Sequence, residues 1–239
     1  MTKRILAILL ALCIVFSAVL CFADEFDDDD DFDDDFESLD DSGYEEEEQK
    51  EDFKTVSTYN MKTINMKDFV YKLTDDGTGA ILTSYTGENP DIAFPAEVDN
   101  GIPVIAIDDG MCQCNPVIVN VTIPGSVQTI GNVAFSACPN LESVVIGEGL
   151  TRIGMCCFGG CPELRTVQLP DSLEIVDNFV FARCPELEEV TFGTKLKSIG
   201  MQAFLGCTSL SRITVPGGDG VTMGENMFQE CPNEVEIAY

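Results

Sequence analysis

Short apolar stretches alternate with polar residues and glycine-rich turns in the region 56–110. The stretches Phe69–Leu73 and Ala80–Tyr85 flank Asp75-Asp-Gly-Thr-Gly79, a pattern that predicts an antiparallel β-hairpin with a short loop. Two further strand-like stretches follow, at 91–94 and 102–107. We therefore expect residues 56–110 to form a hairpin cap at the N-terminal end of a larger β structure.

From residue 111 to 239 the apolar positions recur with a period of 23 residues. The recurring positions form three columns: Phe135, Phe158, Phe181, Phe204 and Phe228; Cys114, Cys138, Cys161, Cys184, Cys207 and Cys231; Leu141, Leu164, Leu187 and Leu210. A fixed period of this length indicates stacked supersecondary units, so it outweighs any interpretation of single elements.

One unit shows how the repeat buries its apolar residues. In the stretch 141–146, Leu141, Val144 and Ile146 point inward, and Gly147 ends the strand because glycine weakens a strand. A second apolar set, which includes Phe135, closes the opposite wall through a loop or a short helical turn. Because one unit cannot bury both of its faces, neighbouring units must stabilise each other. The pattern predicts a solenoid with a parallel β-sheet on one face and loops or short helical turns opposite.

The residues Val121 to Ser143 follow the pattern V-T-I-P-x-S-V-x-x-I-G-x-x-A-F-x-x-C-P-x-L-x-x, which resembles the BspA-type leucine-rich repeat family. The resemblance covers residues 73–239, since the turn Asp99–Val104 looks like a D-G-x-P-V turn with one added residue. It implies a leucine-rich-repeat solenoid in a secreted or surface-exposed bacterial protein with adhesive or host-protein-binding roles.

Three units depart from that pattern. Val-Asp replaces Ile-Gly at 176–177, and Cys-Cys replaces Val-Ala at 156–157. The unit that ends at Cys114 has Met111 in place of phenylalanine and is one residue short. These departures affect the expected shape of single loops and leave the expected fold unchanged.

Residues 1–23 have the features of a secretory signal peptide. Lys3 and Arg4 precede an apolar stretch, and Cys-Phe-Ala at 21–23 resembles a cleavage site. We expect a secreted or cell-surface protein that has no membrane insertion after cleavage. Two alternatives stay open: an uncleaved N-terminal anchor, and a lipoprotein modified at Cys21, which Leu20 disfavours.

Residues 24–55 form an acidic segment that we expect to be a disordered linker. Between residues 24 and 52 there are 19 acidic residues and one lysine, so this stretch carries −18 of the net charge of −29. Like charges repel, and such a stretch cannot bury enough apolar surface to fold. A solvated spacer and weak, loose binding of divalent cations are the two roles left open. The total charge argues against nucleic acid and anionic membranes as partners.

The sequence contains no histidine and no tryptophan. Without histidine, Ser-His and Cys-His nucleophile pairs cannot form, and zinc loses its usual catalytic ligand. We therefore predict that the protein is not an enzyme, with no catalytic, cofactor-binding or metal-binding residues and no cofactor.

Nine cysteines follow the signal segment, and six of them share one repeat position. Free cysteine behaves as a small, buried apolar residue, so we interpret this column as core packing rather than as a set of disulfides. A disulfide between stacked neighbours stays open as the alternative. Cys112 lies outside the column and is predicted to be exposed and reactive.

Residues that alternate with the buried ones should form an extended exposed face along the sheet. The predicted ligand-binding residues are Asn120, Thr122, Ser143, Val145, Arg165, Thr166, Gln168, Glu189, Thr191, Arg212 and Thr214, with Glu142, Glu188 and Ser211 beside them. The predicted partner is an extracellular protein or glycan. Because the face lacks aromatic anchors, it favours a weak or multivalent contact. The alternative is a passive surface scaffold or spacer with no dedicated ligand.

The stretch Glu236–Tyr239 should be the last strand of the sheet. An open strand edge invites pairing, so we expect self-association through this strand or shielding of it by Tyr239.

Overall fold

The computed structural model describes residues 54–55, 66–231 and 234–239. The predicted signal peptide and nearly all of the predicted acidic linker lie outside the described residues. Within the described ranges the chain winds as a β-solenoid with two sheets, and each turn adds one strand to each sheet. The strands are β1 (Lys54–Thr55), β2 (Phe69–Leu73), β3 (Ala80–Tyr85), β4 (Asp91–Ala93), β5 (Glu97–Val98), β6 (Ile102–Ile107), β7 (Asn120–Ile123), β8 (Thr129–Ile130), β9 (Ser143–Ile146), β10 (Arg152–Ile153), β11 (Thr166–Gln168), β12 (Ile175–Val176), β13 (Glu189–Thr191), β14 (Ser198–Ile199), β15 (Arg212–Thr214), β16 (Thr222–Met223) and β17 (Glu236–Ala238).

Sheet A has the order β1-β2-β3-β6-β8-β10-β12-β14-β16, with β5 paired to β6. Sheet B has the order β17-β15-β13-β11-β9-β7-β4. The solenoid predicted from the period is confirmed, and sheet A shows that the wall opposite sheet B also pairs, through two-residue strands. Helical structure in the described ranges consists of three-residue 3₁₀ segments, and none of these residues forms a helix long and apolar enough to span a bilayer.

The predicted N-terminal hairpin is confirmed. Strands β2 and β3 pair antiparallel, and β3 then pairs parallel with β6, so the hairpin covers one end of sheet A. Its turn closes where the amide of Thr74 donates to the carbonyl of Gly79 (2.9 Å). The buried Tyr71 ties the hairpin to the next turn, because its hydroxyl donates to Asp99 Oδ2 (3.0 Å).

The strand register follows the 23-residue period. Ser143 pairs with Thr166, and Glu189 pairs with Arg212. The next step, from Arg212 to Glu236, spans 24 residues. The extra residue lies in the connection that contains the 3₁₀ segment Gly218–Gly220. A single insertion is thus absorbed between strands, and the register of sheet B is kept.

A column of stacked phenylalanine rings fills the interior. Successive rings from Phe135 to Phe228 have centroids 5.4–5.9 Å apart and planes within 19° of parallel. Phe94 closes the column at its N-terminal end, where its ring meets that of Phe135 edge-on at 5.9 Å. Offset stacking of this kind adds about 0.5–1.5 kcal/mol per pair beyond the burial of the rings. The repeated phenylalanine therefore links each turn to its neighbours.

The predicted core role of the cysteine column is confirmed for five residues. Their thiols each donate to a backbone carbonyl of the preceding turn: Cys161 Sγ lies 3.1 Å from Phe135 O, and Cys184 Sγ lies 3.1 Å from Phe158 O. Burial raises the pKa of the Cys184 thiol to about 12. Burial also raises the pKa of Cys161. These cysteines therefore remain protonated hydrogen-bond donors inside the solenoid.

The first unit of the column was predicted wrongly. Cys114 is half-buried and aligns with Ala137, because its amide donates to Ser136 O just as the Ala137 amide donates to Gly159 O. Cys112, rather than Met111, takes the place of phenylalanine, and its carbonyl accepts the hydrogen bond from the Cys138 thiol (3.0 Å). Cys112 is 2% exposed and burial raises its pKa, so the prediction of an exposed, reactive thiol is wrong as well.

Candidate functional site

The outward side chains of sheet B form a continuous surface, which we call the B face. Buried and outward residues alternate along each strand, as in β7, where Val121 and Ile123 are buried and Asn120 and Thr122 are exposed. Seven strands at a spacing of about 4.8 Å make this face about 29 Å long. Its outward side chains are exposed or half-buried. The B face is therefore a broad, shallow surface.

The first outward column contains the residue at the start of each strand. It runs through Asp91, Asn120, Ser143, Thr166, Glu189, Arg212 and Glu236. At one end, Asn120 Nδ2 donates to Asp91 Oδ1 (2.7 Å), and Ser143 Oγ donates to Asn120 Oδ1 (2.5 Å). These hydrogen bonds hold the side chains of three neighbouring strands in fixed orientations.

Arg212 closes the other end of this column. Its Nε and Nη2 lie 3.0 and 2.8 Å from Glu236 Oε2. The hydrogen bond and the charge of Glu236 raise the pKa of Arg212, and the charge of Glu189 adds to the effect. Both partners are largely solvated, so the pair contributes little to the stability of the fold. It does fix the position of the guanidinium group on the B face.

The second outward column carries short, neutral side chains. It runs through Ala93, Thr122, Val145, Gln168, Thr191, Thr214 and Ala238. Val145, on β9 beside the central strand β11, is 38% exposed and is one of three large apolar side chains that are exposed in the described part of the chain. The column thus presents one apolar contact among hydroxyl and amide groups.

Carboxylates dominate the charge of the B face. Including the residues just before β9, β11, β13 and β15, the face has five acidic side chains and two basic ones, a net charge of −3. The acidic residues are Asp91, Glu142, Glu188, Glu189 and Glu236, and the basic ones are Arg165 and Arg212. The Arg165 guanidinium lies 3.6 Å from the carboxylates of both Glu163 and Glu186.

All eleven residues predicted from the sequence as ligand-binding lie on the outer side of sheet B. Nine are exposed, and Ser143 and Thr214 are half-buried. Whether they bind a ligand stays a prediction. The prediction omitted Asp91 and Glu236, which extend the first column at its two ends. Aligning the strand-like stretches 91–94 and 236–239 with the repeats would have identified both.

Among the residues that the structure describes, no group of three or more His, Cys, Asp or Glu side chains is arranged to hold a metal ion. The carboxylates of the B face are instead spread over alternate strands.

Known proteins match this chain in sequence and in structure. Residues 106–235 match the model of the BspA type leucine rich repeat region in six copies, which is more than half of the chain. Comparison with curated proteins gives no match.

The solved structures that resemble the chain are bacterial leucine-rich repeat proteins. A leucine-rich repeat protein of T. pallidum is 29% identical, with a TM-score of 0.61 over 74% of this chain and 86% of its own. A leucine-rich cell surface protein of Faecalibacterium prausnitzii is 28% identical, with a TM-score of 0.55 over 75% of this chain and 55% of its own. A leucine-rich repeat protein of Eubacterium ventriosum is 23% identical and has the same fold, with a TM-score of 0.56 over 73% of this chain and 52% of its own.

Proposed function

Because the chain belongs to the BspA-type leucine-rich repeat family, we propose that it is an exported bacterial protein that binds an extracellular macromolecule through the B face. The observation that carries the proposal is the B face itself: seven strands present two columns of ordered, outward side chains along about 29 Å. The F. prausnitzii relative is described as a cell surface protein, which supports export. The apolar stretch that follows Lys3 and Arg4 supports it further.

Protein is the favoured partner class over glycan. The outward columns of sheet B contain no aromatic side chain, so a sugar ring would find no flat apolar surface there. Hydroxyl and amide groups such as those of Thr122 and Gln168 can instead exchange hydrogen bonds with a polypeptide. Interfaces without aromatic anchors concentrate little energy in single residues, so we expect a weak contact that gains strength when several copies bind together.

Binding rather than catalysis follows from the chemistry that the face offers. The sequence has no histidine, so no hydroxyl group of the B face can be paired with an imidazole base. Thr166, for example, lies between Ser143 and Glu189 in the first column. These groups can accept and donate hydrogen bonds, which is what a binding surface requires.

The proposal is tested with a matched pair of substitutions in the full chain. T191R places a long cation on the B face, and T222R places the same side chain on the outer side of sheet A, where Thr222 is equally exposed. Binding to a panel of purified extracellular proteins and glycans is measured for both variants by surface plasmon resonance. We expect at least one protein whose Kd rises about tenfold in T191R and changes less than twofold in T222R.

Circular dichroism and thermal unfolding verify that both variants fold as the unmodified protein does. Equal binding by both variants, or no binding to any member of the panel, contradicts the proposal. That result would favour the passive scaffold or spacer, in which the solenoid and its acidic segment only set the distance from a surface.

A further inference from the structure

We infer that the partner contacts the B face through an extended, cationic polypeptide segment that crosses the strands of sheet B, with basic residues at about every third position. This inference rests on the proposed function, and it adds the chemistry and the conformation of the partner. Three observations carry it: the charge difference between the two sides of the solenoid, the spacing of the carboxylates, and the side chains beside them.

The two sides of the solenoid differ in how their charges are balanced. On the side of sheet A, each of three cations lies within 2.8 Å of a carboxylate of a neighbouring turn. These pairs are Lys72–Asp108, Arg152–Asp177 and Lys197–Glu174. The B face has a net charge of −3, and its two arginines are engaged by carboxylates. Glu142 and Glu188 take part in no ion pair with another described residue, so they are available to a cation from a partner.

The carboxylates of the B face follow a regular spacing. They lie on every second strand of sheet B: Asp91 on β4, Glu142 before β9, Glu188 and Glu189 at β13, and Glu236 on β17. The strands between them carry Asn120, Arg165 and Arg212 at the corresponding positions. Two strand spacings amount to about 9.6 Å. In the extended polyproline II conformation, which completes one turn in three residues, three residues cover about 9.3 Å, so a basic residue at every third position points to the face and meets a carboxylate each time.

The second column favours an extended segment over a helix. Thr122, Gln168 and Thr191 present hydrogen-bonding groups beside the row of carboxylates. An extended chain has backbone N–H and C=O groups that need partners, whereas a helix satisfies its own. Val145 adds one apolar contact on β9, beside the central strand. Opposite charges then fix the register of the segment and accelerate its association.

The test uses the full chain and synthetic peptides. The probe is a 15-residue Gly-Ser peptide with lysine at every third position and a photoreactive group at its centre. Two comparison peptides have the same composition with contiguous lysines, or lysine at every seventh position in a helix-forming background. Because the acidic segment before residue 53 also attracts cations, the readout is site-resolved: cross-linked residues are identified by mass spectrometry, and cross-linking yield is followed against peptide concentration.

A matched pair of triple variants distinguishes the effect of the carboxylates on the B face from the effect of the overall charge. E142Q/E188Q/E189Q neutralises the central part of the row, and D75N/E97Q/E225Q removes the same charge from exposed positions away from sheet B. We expect cross-links at strands β9 to β13, with half-saturation shifted about tenfold by the first triple variant and less than twofold by the second. Higher salt should lower the cross-linking yield of the unmodified chain more than the yield of E142Q/E188Q/E189Q.

Several results would overturn the inference. These are cross-links confined to the acidic segment, equal shifts in the two triple variants, or equal or tighter binding of either comparison peptide. If the cationic probe fails while T191R still weakens binding of a protein ligand, the chemistry assigned to the partner is wrong and the proposed function stands. If neither T191R nor E142Q/E188Q/E189Q has an effect, both the inference and the proposed function are wrong.

Discussion

Two positions in each solenoid turn hold the backbone in the left-handed region. At the first position φ lies between 50° and 64°, and at the second between 54° and 76°. The first position is occupied by Gly110, Val133, Cys156, Phe179, Gln202 and Asn226, and the second by Cys114, Ala137, Gly160, Arg183, Gly206 and Glu230. This conformation costs an L-residue about 1–2 kcal/mol, and glycine avoids that cost. The turn between the sheets therefore imposes the same backbone conformation in every repeat, and the residue at each position decides whether it is strained.

The second position provides a test of this strain. Ala137 has a φ of 55°, and its equivalents Gly160 and Gly206 have φ of 76° and 70°. We expect Ala137→Gly to raise the free energy of unfolding by about 0.5–1 kcal/mol, since relief of the strain exceeds the entropy that glycine gains in the unfolded chain. The measurement is urea unfolding followed by circular dichroism.

The control is Ala203→Gly. Ala203 is fully buried and is not among the residues with positive φ, so the same change should lower the free energy of unfolding by about 0.5–1 kcal/mol. Changes of the same sign in the two variants would show that the backbone at residue 137 is not strained.

At the scale of the residue, the sequence predicted buried positions correctly where one residue type recurs in the same environment. Phenylalanine and cysteine repeat because the same interior space recurs every 23 residues. The left-handed positions were not predictable, because they hold valine, phenylalanine and arginine as well as glycine. Cys112 was misplaced for a related reason: the first unit has a cysteine where later units have phenylalanine, so only the backbone pairing reveals the alignment.

At the scale of the element, the hairpin β2–β3 depends on a carboxylate in its turn. Asp76 Oδ1 accepts hydrogen bonds from the Thr74 hydroxyl (2.6 Å) and from the Thr78 amide (3.1 Å). The hydrogen bond from Thr74, followed by those from Thr78, lowers the pKa of Asp76 from 3.8 to about 2. Because the folded pKa is depressed, the contribution of these bonds to hairpin stability is complete above pH about 4 and is lost as the pH falls through about 2.

Nuclear magnetic resonance can follow this titration through the amide shift of Thr78. We expect a midpoint near pH 2 in the unmodified protein. In Thr74→Val the largest cause of the shift is absent, so the midpoint should move up toward 3.8. A control substitution, Thr86→Val, changes a threonine outside this turn and should leave the midpoint unchanged. An unchanged midpoint in Thr74→Val would mean that the Thr74 hydroxyl does not determine the pKa.

The strands of sheet B could be predicted from the sequence, whereas most strands of sheet A could not. Strands of three or four residues in sheet B alternate clearly between buried and outward side chains, so the register and the eleven outward residues followed from the sequence. Strands β8, β10, β12, β14 and β16 have two residues each. Two residues cannot display a period of two, and the pairing that makes them strands comes from neighbouring turns.

At the scale of the whole molecule, stability depends on a shared phase, in which equivalent residues of successive turns stack on one another. Each turn repeats the contacts of the one before it, from the phenylalanine stack to the thiol–carbonyl hydrogen bonds. Stability of such a stack is approximately a sum of terms for each turn and each interface. Removing one complete period should therefore leave a shorter solenoid whose remaining contacts match, whereas removing half a period should not.

Deleting residues 155–177 tests this, since it removes 23 residues and joins Gly154 to Asn178. Phe181 then follows Phe135 in the stack, and the Cys184 thiol faces the carbonyl of Phe135. We expect cooperative thermal unfolding with a free energy of unfolding about 1–3 kcal/mol lower, as 23 residues of average stability contribute. Deleting 155–166 removes 12 residues, about half a period, and with them the connection from β10 to β11 that contains Phe158, Cys161 and Leu164, so this turn loses its contacts with both neighbours. That variant should lose cooperative unfolding and aggregate. Equal behaviour of the two deletions, measured by calorimetry and light scattering, would show that neighbouring turns do not need a shared phase.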